Sequence, residues 1–231
     1  MGETLLEVRD LVAGYGRSTV IRGASLTVDN AEIVGLVGRN GAGKSTFAKC
    51  VSGVVSRRGG DVHLAGTALP SSPPAVARAG VAHVPQGRGL FAGLSVRDNI
   101  RTGAVAVGQD VDGQLMAEIL ELFPQIGDLL QQRAGTLSGG QQQMVAIARG
   151  LAARPRVMII DELSLGLAPV VIDAVWGTLE VLRDTRGLSI FIIDQNLARM
   201  TAGCDRLYRL DDGCTHLMDD KERERSTRLI L

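Results

Sequence analysis

Two short stretches carry residue types suited to phosphate chemistry. The first, GRNGAGKS from Gly38 to Ser45, fits G-x-x-x-x-G-K-[ST] between a predicted strand and a predicted helix. Its glycines let the backbone of Gly38, Arg39, Asn40, Gly41, Ala42 and Gly43 turn amides toward phosphate oxygens, and the following helix N-terminus adds a favourable dipole. Lys44 would neutralise β- and γ-phosphates, Ser45 would ligate Mg²⁺ and Thr46 would donate to the α-phosphate. Lysine occurs elsewhere only at Lys49 and Lys221, so this one is hard to dismiss as background. The second stretch is the acidic end of RVMIIDE. Asp161 follows four apolar strand residues and emerges at the C-terminal edge of a sheet, where it can hold Mg²⁺, usually through water. Glu162, one position on, is placed to polarise an attacking water as general base. Joined, the two stretches imply a nucleoside-triphosphate hydrolase, and the absence of an N-K-x-D motif argues against guanine nucleotides.

A third stretch has no obvious chemistry. LSGGQQQ, residues 137–143, precedes an apolar helical pattern and holds no strong acid, base, thiol or metal ligand. Adjacent glycines at a helix entrance cost conformational entropy. Taken with GRNGAGKS, VPQ (84–86) and RVMIIDE in that order, it resembles the ATP-binding-cassette ATPases over essentially the whole chain. The resemblance implies that Ser138, Gly139 and Gly140, with Gln141 behind them, face the γ-phosphate of ATP held by an opposite subunit. Such a role needs close backbone approach and no side-chain chemistry. It also implies that Tyr15 stacks on adenine and that Gln86 touches Mg²⁺ or the attacking water. Gln195, in FIIDQN (191–196), stands where most such ATPases carry a histidine that contacts the γ-phosphate. Glutamine donates a hydrogen bond but carries no charge, so Glu162 and electrostatic positioning must suffice.

The segments DELSLGLAP (161–169), PQGRGLFAGLSVRDNI (85–100) and FIIDQN resemble one branch of that family, the ATPases of branched-chain amino-acid and urea or amide importers. Leu163 departs from the proline usual in that branch, and Ala168 from the aspartate usual in the wider family.

These groups need elements to hold them. Short strands are expected at 4–12 and 18–28, a buried strand at 32–38 before the phosphate loop, and a helix after it. A hairpin-like piece at 59–69, a Pro/Ser loop leading into a short helix at 70–80 and a buried strand at 80–85 follow. From 87 to 155 the pattern turns helical. Ser95 and Asp98 form a capping-box-like start, then Leu115, Met116, Ile119, Leu120 and Phe123 mark one helix face, and Met144, Ile147, Ala148 and Leu151 another. Buried strands at 156–161 and 188–194 flank a helix at 169–187, and 206–218 reads as a hairpin turning at Asp212-Gly213 before a polar helical tail. Near-continuous apolar strands alternating with helices imply an α/β fold with a mostly parallel, doubly covered sheet. The resemblance sharpens this to a P-loop, RecA-like core (1–86 and 156–231) with an N-terminal antiparallel β subdomain and an inserted helical subdomain (87–155), together one cassette domain.

A chain of 231 residues with zero formal net charge gives no general attraction to nucleic acid or anionic lipid. Cys50, Cys204 and Cys214 lack metal-ligand spacing and are expected to be buried reduced thiols; His63, His83 and His216 lie outside the motifs and are expected to be structural. The start, MGETLLEVRD, is acidic where a signal peptide would be basic, and no apolar run spans a membrane, so a cytoplasmic protein, peripheral on the membrane, is expected. The leading expectation is an ATPase that binds ATP and Mg²⁺, pairs with a second identical or related cassette, and powers membrane permease subunits of an importer served by a substrate-binding protein. The alternatives are a cassette ATPase acting on nucleic acid or a protein assembly, disfavoured by the lack of a basic stripe, and a non-hydrolytic nucleotide sensor.

Overall fold

The structure is a computed structural model that describes residues 2–228, with side chains to residue 225. It opens with two twelve-residue strands, β1 (Thr4–Tyr15) and β2 (Ser18–Asp29), paired antiparallel. Both run longer than their alternation suggests. Register shifts after Val8 and around Ala13 absorb the out-of-phase residues, one of them Asp10 with φ 46°. Next come β3 (Ile33–Val37), α1 (Lys44–Val51), β4 (Arg57–Leu64), β5 (Thr67–Ala68), α2 (Pro73–Ala79) and β6 (Val81–Val84). The chain is then helical through α3 (Val96–Val105), α4 (Gly113–Leu122) and α5 (Gly139–Ala152), with single 3₁₀ segments at Pro124–Leu129 and Ala134–Thr136. It returns to strand at β7 (Val157–Asp161), then α6 (Pro169–Arg186), β8 (Ser189–Ile193), α7 (Leu197–Gly203), β9 (Arg206–Asp211), β10 (Cys214–Leu217) and α8 (Asp220–Arg228). The last three residues of the expected tail lie outside the described residues.

Two sheets result. One is antiparallel, ordered β2-β1-β4-β5; the other runs β10-β9-β3-β8-β7-β6, parallel except for the β9–β10 hairpin. Strands β3, β7 and β8 are buried at every position, which is why their sequences show no alternation. Their side chains divide between two cores. Val34, Leu36, Val157, Ile159, Phe191 and Ile193 pack with Phe47 and Val51 of α1 and the underside of the antiparallel sheet. Ile33, Met158, Ile160, Ile190 and Ile192 pack on the other face with α5, α6 and residues of α3 and α4.

The caps follow their residue types. Ser95 accepts from the Asp98 amide at 3.0 Å, and Gly187 ends α6 in the left-handed region. Three expectations need correction. Helix α5 is buried over most of its circumference: Val145 and Ala146 are fully enclosed while Leu151 is only partly so, because the helix lies between the sheet and its helical neighbours. Cys214, the first residue of β10 beside the Asp212-Gly213 turn, is exposed, whereas Cys50 and Cys204 are buried as expected. Helix α7 has no counterpart in the sequence reading; Asn196 caps it by accepting from the Arg199 amide at 3.1 Å.

Candidate phosphate and hydrolysis site

The phosphate loop spans the gap from β3 to α1 at the carboxyl edge of the parallel strands. Gly43 is the N-cap of α1 at φ 103°, and a Cβ there would lie 2.7 Å from Val20 Cγ1. No side chain caps α1, so its first amides are left for a ligand. Val20, Asn40, Gly41, Gly43, Lys44, Ser45, Thr46 and Glu162 line a concavity of about 270 Å³. Val20 was not anticipated; a lone valine in a strand gives no signal. Lys44 Nζ donates to the carbonyls of Gly38 at 2.8 Å and Arg39 at 3.1 Å, closing the loop on itself. Burial holds the Lys44 ammonium below its ordinary range, partly offset by Glu162, Asp161 and Asp194. Tyr15, half exposed at the tip of the β1–β2 hairpin, is outside the residues lining this concavity.

The acidic pair completes the site from β7. Ser45 Oγ donates to Asp161 Oδ1 at 3.1 Å, while the buried Oδ2 has no partner. Burial raises the Asp161 carboxyl above its ordinary range. An orphaned carboxylate oxygen beside a hydroxyl is a donor set that fits Mg²⁺. Among the described residues no group of three or more His, Cys, Asp or Glu could hold a metal, so nucleotide and water oxygens would complete the shell. Glu162 adopts φ 56° with its amide bonded to the Ile193 carbonyl at 2.7 Å. Its carboxylate accepts from both expected glutamines: Gln86 Nε2 to Oε2 at 2.6 Å and Gln195 Nε2 to Oε1 at 3.0 Å. Gln86, expected at the metal or the water, is here engaged through its amide nitrogen with the Glu162 carboxylate, and its Oε1 is the atom suited to Mg²⁺.

The LSGG stretch stands apart. Ser138 is the exposed N-cap of α5 and forms a reciprocal cap with Gln141: its Oγ accepts from the Gln141 amide at 3.3 Å, and Gln141 Oε1 accepts from the Ser138 amide at 2.9 Å. Gln141 thus shapes the helix entrance. Gly140 is required sterically, because a Cβ would meet Val171 at 2.6 Å. None of Ser138, Gly139, Gly140 or Gln141 lines the phosphate concavity of their own chain. Two arginines tie α5 to the loop after Gln86: Arg88 donates to Gln142 Oε1 at 2.9 Å, and the partly buried Arg149 donates to the carbonyls of Arg88 at 2.9 Å and Gly89 at 2.6 Å. Arg149 was not singled out from sequence, and Arg88 only within the PQGRGLF run, since their partners lie 54 to 61 positions away.

A parallel sheet presenting a phosphate-cradling loop, a Mg²⁺-competent aspartate and an adjacent glutamate defines a P-loop nucleotide hydrolase. The chain belongs to the ABC transporter family, whose profile matches residues 21–164, and is an ATPase of that family. It is 38% identical over 200 residues to the high-affinity branched-chain amino acid transport ATP-binding protein BraG of Pseudomonas aeruginosa, covering 86% of this chain and 85% of that one. It is 35% identical over 213 residues to the lipopolysaccharide export system ATP-binding protein LptB of Escherichia coli, covering 90% and 87%. Its fold superposes on a dimeric ATP-binding cassette in a post-hydrolysis state with ADP and Pi, at a TM-score of 0.81 and 20% identity, covering 93% and 99% of the two chains.

Proposed function

We propose that the chain is the ATP-hydrolysing subunit of an importer for branched-chain amino acids or a related small polar or amide solute. Two cassettes sandwich two ATP, close, hydrolyse and reopen. The observation that carries the reading is the location of Ser138–Gly140: a capped, exposed helix entrance of suitable anion-binding character that lines nothing in its own nucleotide site. The importer assignment rests on the similarity to BraG together with the form of DELSLGLAP and FIIDQN; LptB, nearly as similar, serves an export system, so overall identity alone does not fix the direction.

Within each composite site, Lys44 and the loop amides hold the β- and γ-phosphates, while Ser45 and Asp161, with Gln86, would hold Mg²⁺, which supplies charge neutralisation when bound. Glu162 polarises the water, Gln195 orients Glu162 and donates to phosphate, and Tyr15 stacks on adenine. The membrane subunits dock in an apolar groove of about 470 Å³ between the core and the helical segment, lined by Val54, Val76, His83, Phe91, Ala106 and Arg149 among others. No helix among the described residues is long and apolar enough to cross a membrane, which fits attachment through permease subunits.

The test mixes two inactive chains. Lys44→Ala removes ATP binding from its own site; Ser138→Arg leaves ATP binding to the monomer intact and blocks closure over the partner's nucleotide. A mixed dimer then holds one site with both defects and one with neither, and recovers part of the hydrolysis. If Ser138→Arg weakens ATP binding to an isolated monomer as severely as Lys44→Ala, the stretch serves its own pocket and the sandwich reading is wrong.

A further inference from the structure

We propose that Asp194 is the positioning residue of the hydrolytic site, fixing both ends of the Glu162–Gln195 hydrogen bond without itself touching nucleotide. The inference rests on the assignment of Glu162 as the base. Asp194 directly follows β8 and is only 4% exposed. Four donors converge on its carboxylate. Ser164 gives its amide to Oδ2 at 2.8 Å and its hydroxyl to Oδ1 at 2.7 Å, and the amides of Gln195 and Asn196 reach Oδ1 at 2.7 and 2.9 Å.

The two local bonds, to Gln195 and Asn196, shape the turn that leaves β8 and set the start of α7. The other two reach 30 positions back to Ser164, which stands two residues beyond Glu162. One carboxylate therefore grips the segment carrying the base and the segment carrying its amide donor. The link between them, at the edge of the concavity that Glu162 lines, is the Gln195 Nε2–Glu162 Oε1 bond at 3.0 Å. The chemistry demands an acceptor on every side: a carboxylate has lone pairs for all four donors, whereas an amide would turn its N–H₂ against at least one N–H group. A buried acid whose donors come from the two loops holding the base has a positional reason to be there, beyond closing a turn.

The experiment compares Asp194→Asn, Asp194→Glu, Ser164→Ala and Glu162→Gln with the unchanged chain. Asp194→Asn is expected to bind ATP as the unchanged monomer does and to keep its KM, while kcat falls roughly tenfold or more, because a general base is worth on the order of 10² to 10⁴ only when aligned. Asp194→Glu, acceptor-only like aspartate, restores most of kcat. Hydrogen exchange accelerates in 162–167 and 194–197 and nowhere else. Ser164→Ala, which removes one donor, gives a smaller loss of kcat and keeps the test available should Asp194→Asn fail to fold. Normal kcat in Asp194→Asn or Ser164→Ala, with Glu162→Gln inactive, overturns the role of Asp194. Loss of ATP binding in Asp194→Asn without rescue by Asp194→Glu overturns it too, in favour of general support. Normal turnover in Glu162→Gln instead overturns the assignment of the base beneath it.

Discussion

Glu162 holds a left-handed backbone that costs a non-glycine residue roughly 1–2 kcal/mol, and it does so at the end of a buried strand where extended geometry would be easy. The conformation turns its carboxylate toward Gln86 and Gln195. If that geometry serves hydrolysis, Glu162→Gln keeps ATP affinity, slows turnover by at least ~10²-fold and traps a closed dimer with Mg-ATP; equilibrium binding, a turnover assay and size-exclusion chromatography read the three effects. His83 supplies a separate, pH-dependent prediction. It lies against Ser52 at 2.9 Å, and burial, helped by Lys49, pushes its pKa down to about 4 from 6.5. Below pH 6.5 the unfolded chain takes up a proton that the folded chain refuses until about pH 4, so stability falls as pH drops through that window. His83→Asn, which cannot titrate, is expected to flatten the loss of Tm between those two pH values in thermal melts. That the phosphate loop and the Asp161-Glu162 pair meet was legible from sequence, because each candidate stretch is packed into consecutive residues. Asp194, Arg88 and Arg149 were not, because their meaning lies in partners that only the fold brings near.

Ala168 stands at the N-cap of helix α6 with no side-chain cap, and the amides of Val171 and Ile172 both reach the Ala168 carbonyl, at 2.9 and 3.1 Å. An aspartate here would accept from an amide of the first turn and place a negative charge at the positive end of an 18-residue helix. Ala168→Asp is therefore expected to raise stability by ~0.5–2 kcal/mol, measured by denaturant unfolding; an unchanged or lower midpoint would mean the loop from Glu162 to Leu167 keeps the side chain from reaching the helix. Elements were readable wherever a single physical signal dominated: doubly buried strands as apolar runs, the α3 start from Ser95 and Asp98, the Asp212-Gly213 turn, whose two residues both have positive φ. They were misread where tertiary surroundings override local pattern. Helix α5 is wrapped by neighbours and so is not one-faced, and the short α7 rests on one asparagine cap and the packing of Met200.

At the scale of the molecule, the parallel sheet is a wall shared by two cores, and the groove proposed for membrane subunits opens where the helical segment leaves the wall's edge strand β6. Phe91 marks its rim. Its backbone is fixed by a two-way exchange with Asn99 at 2.9 and 3.0 Å, yet the residue is 54% exposed. Phe91→Asp is expected to spare ATP binding and ATP-driven dimer closure while abolishing copurification with the membrane subunits; retained copurification would move the docking surface elsewhere.

The double hydrogen bonding of Glu162 has an operational consequence. One of its donors, Gln86, sits on a loop that Arg149 fastens to α5, and the other, Gln195, sits on a loop that belongs to the core. Taken with the proposed roles, the base then behaves as a two-key lock: both assemblies must be in register before water is activated, and displacing either withdraws a key. An ATPase wired in this way would slow whenever the core and the helical segment slip out of register, so its fuel use would report their alignment.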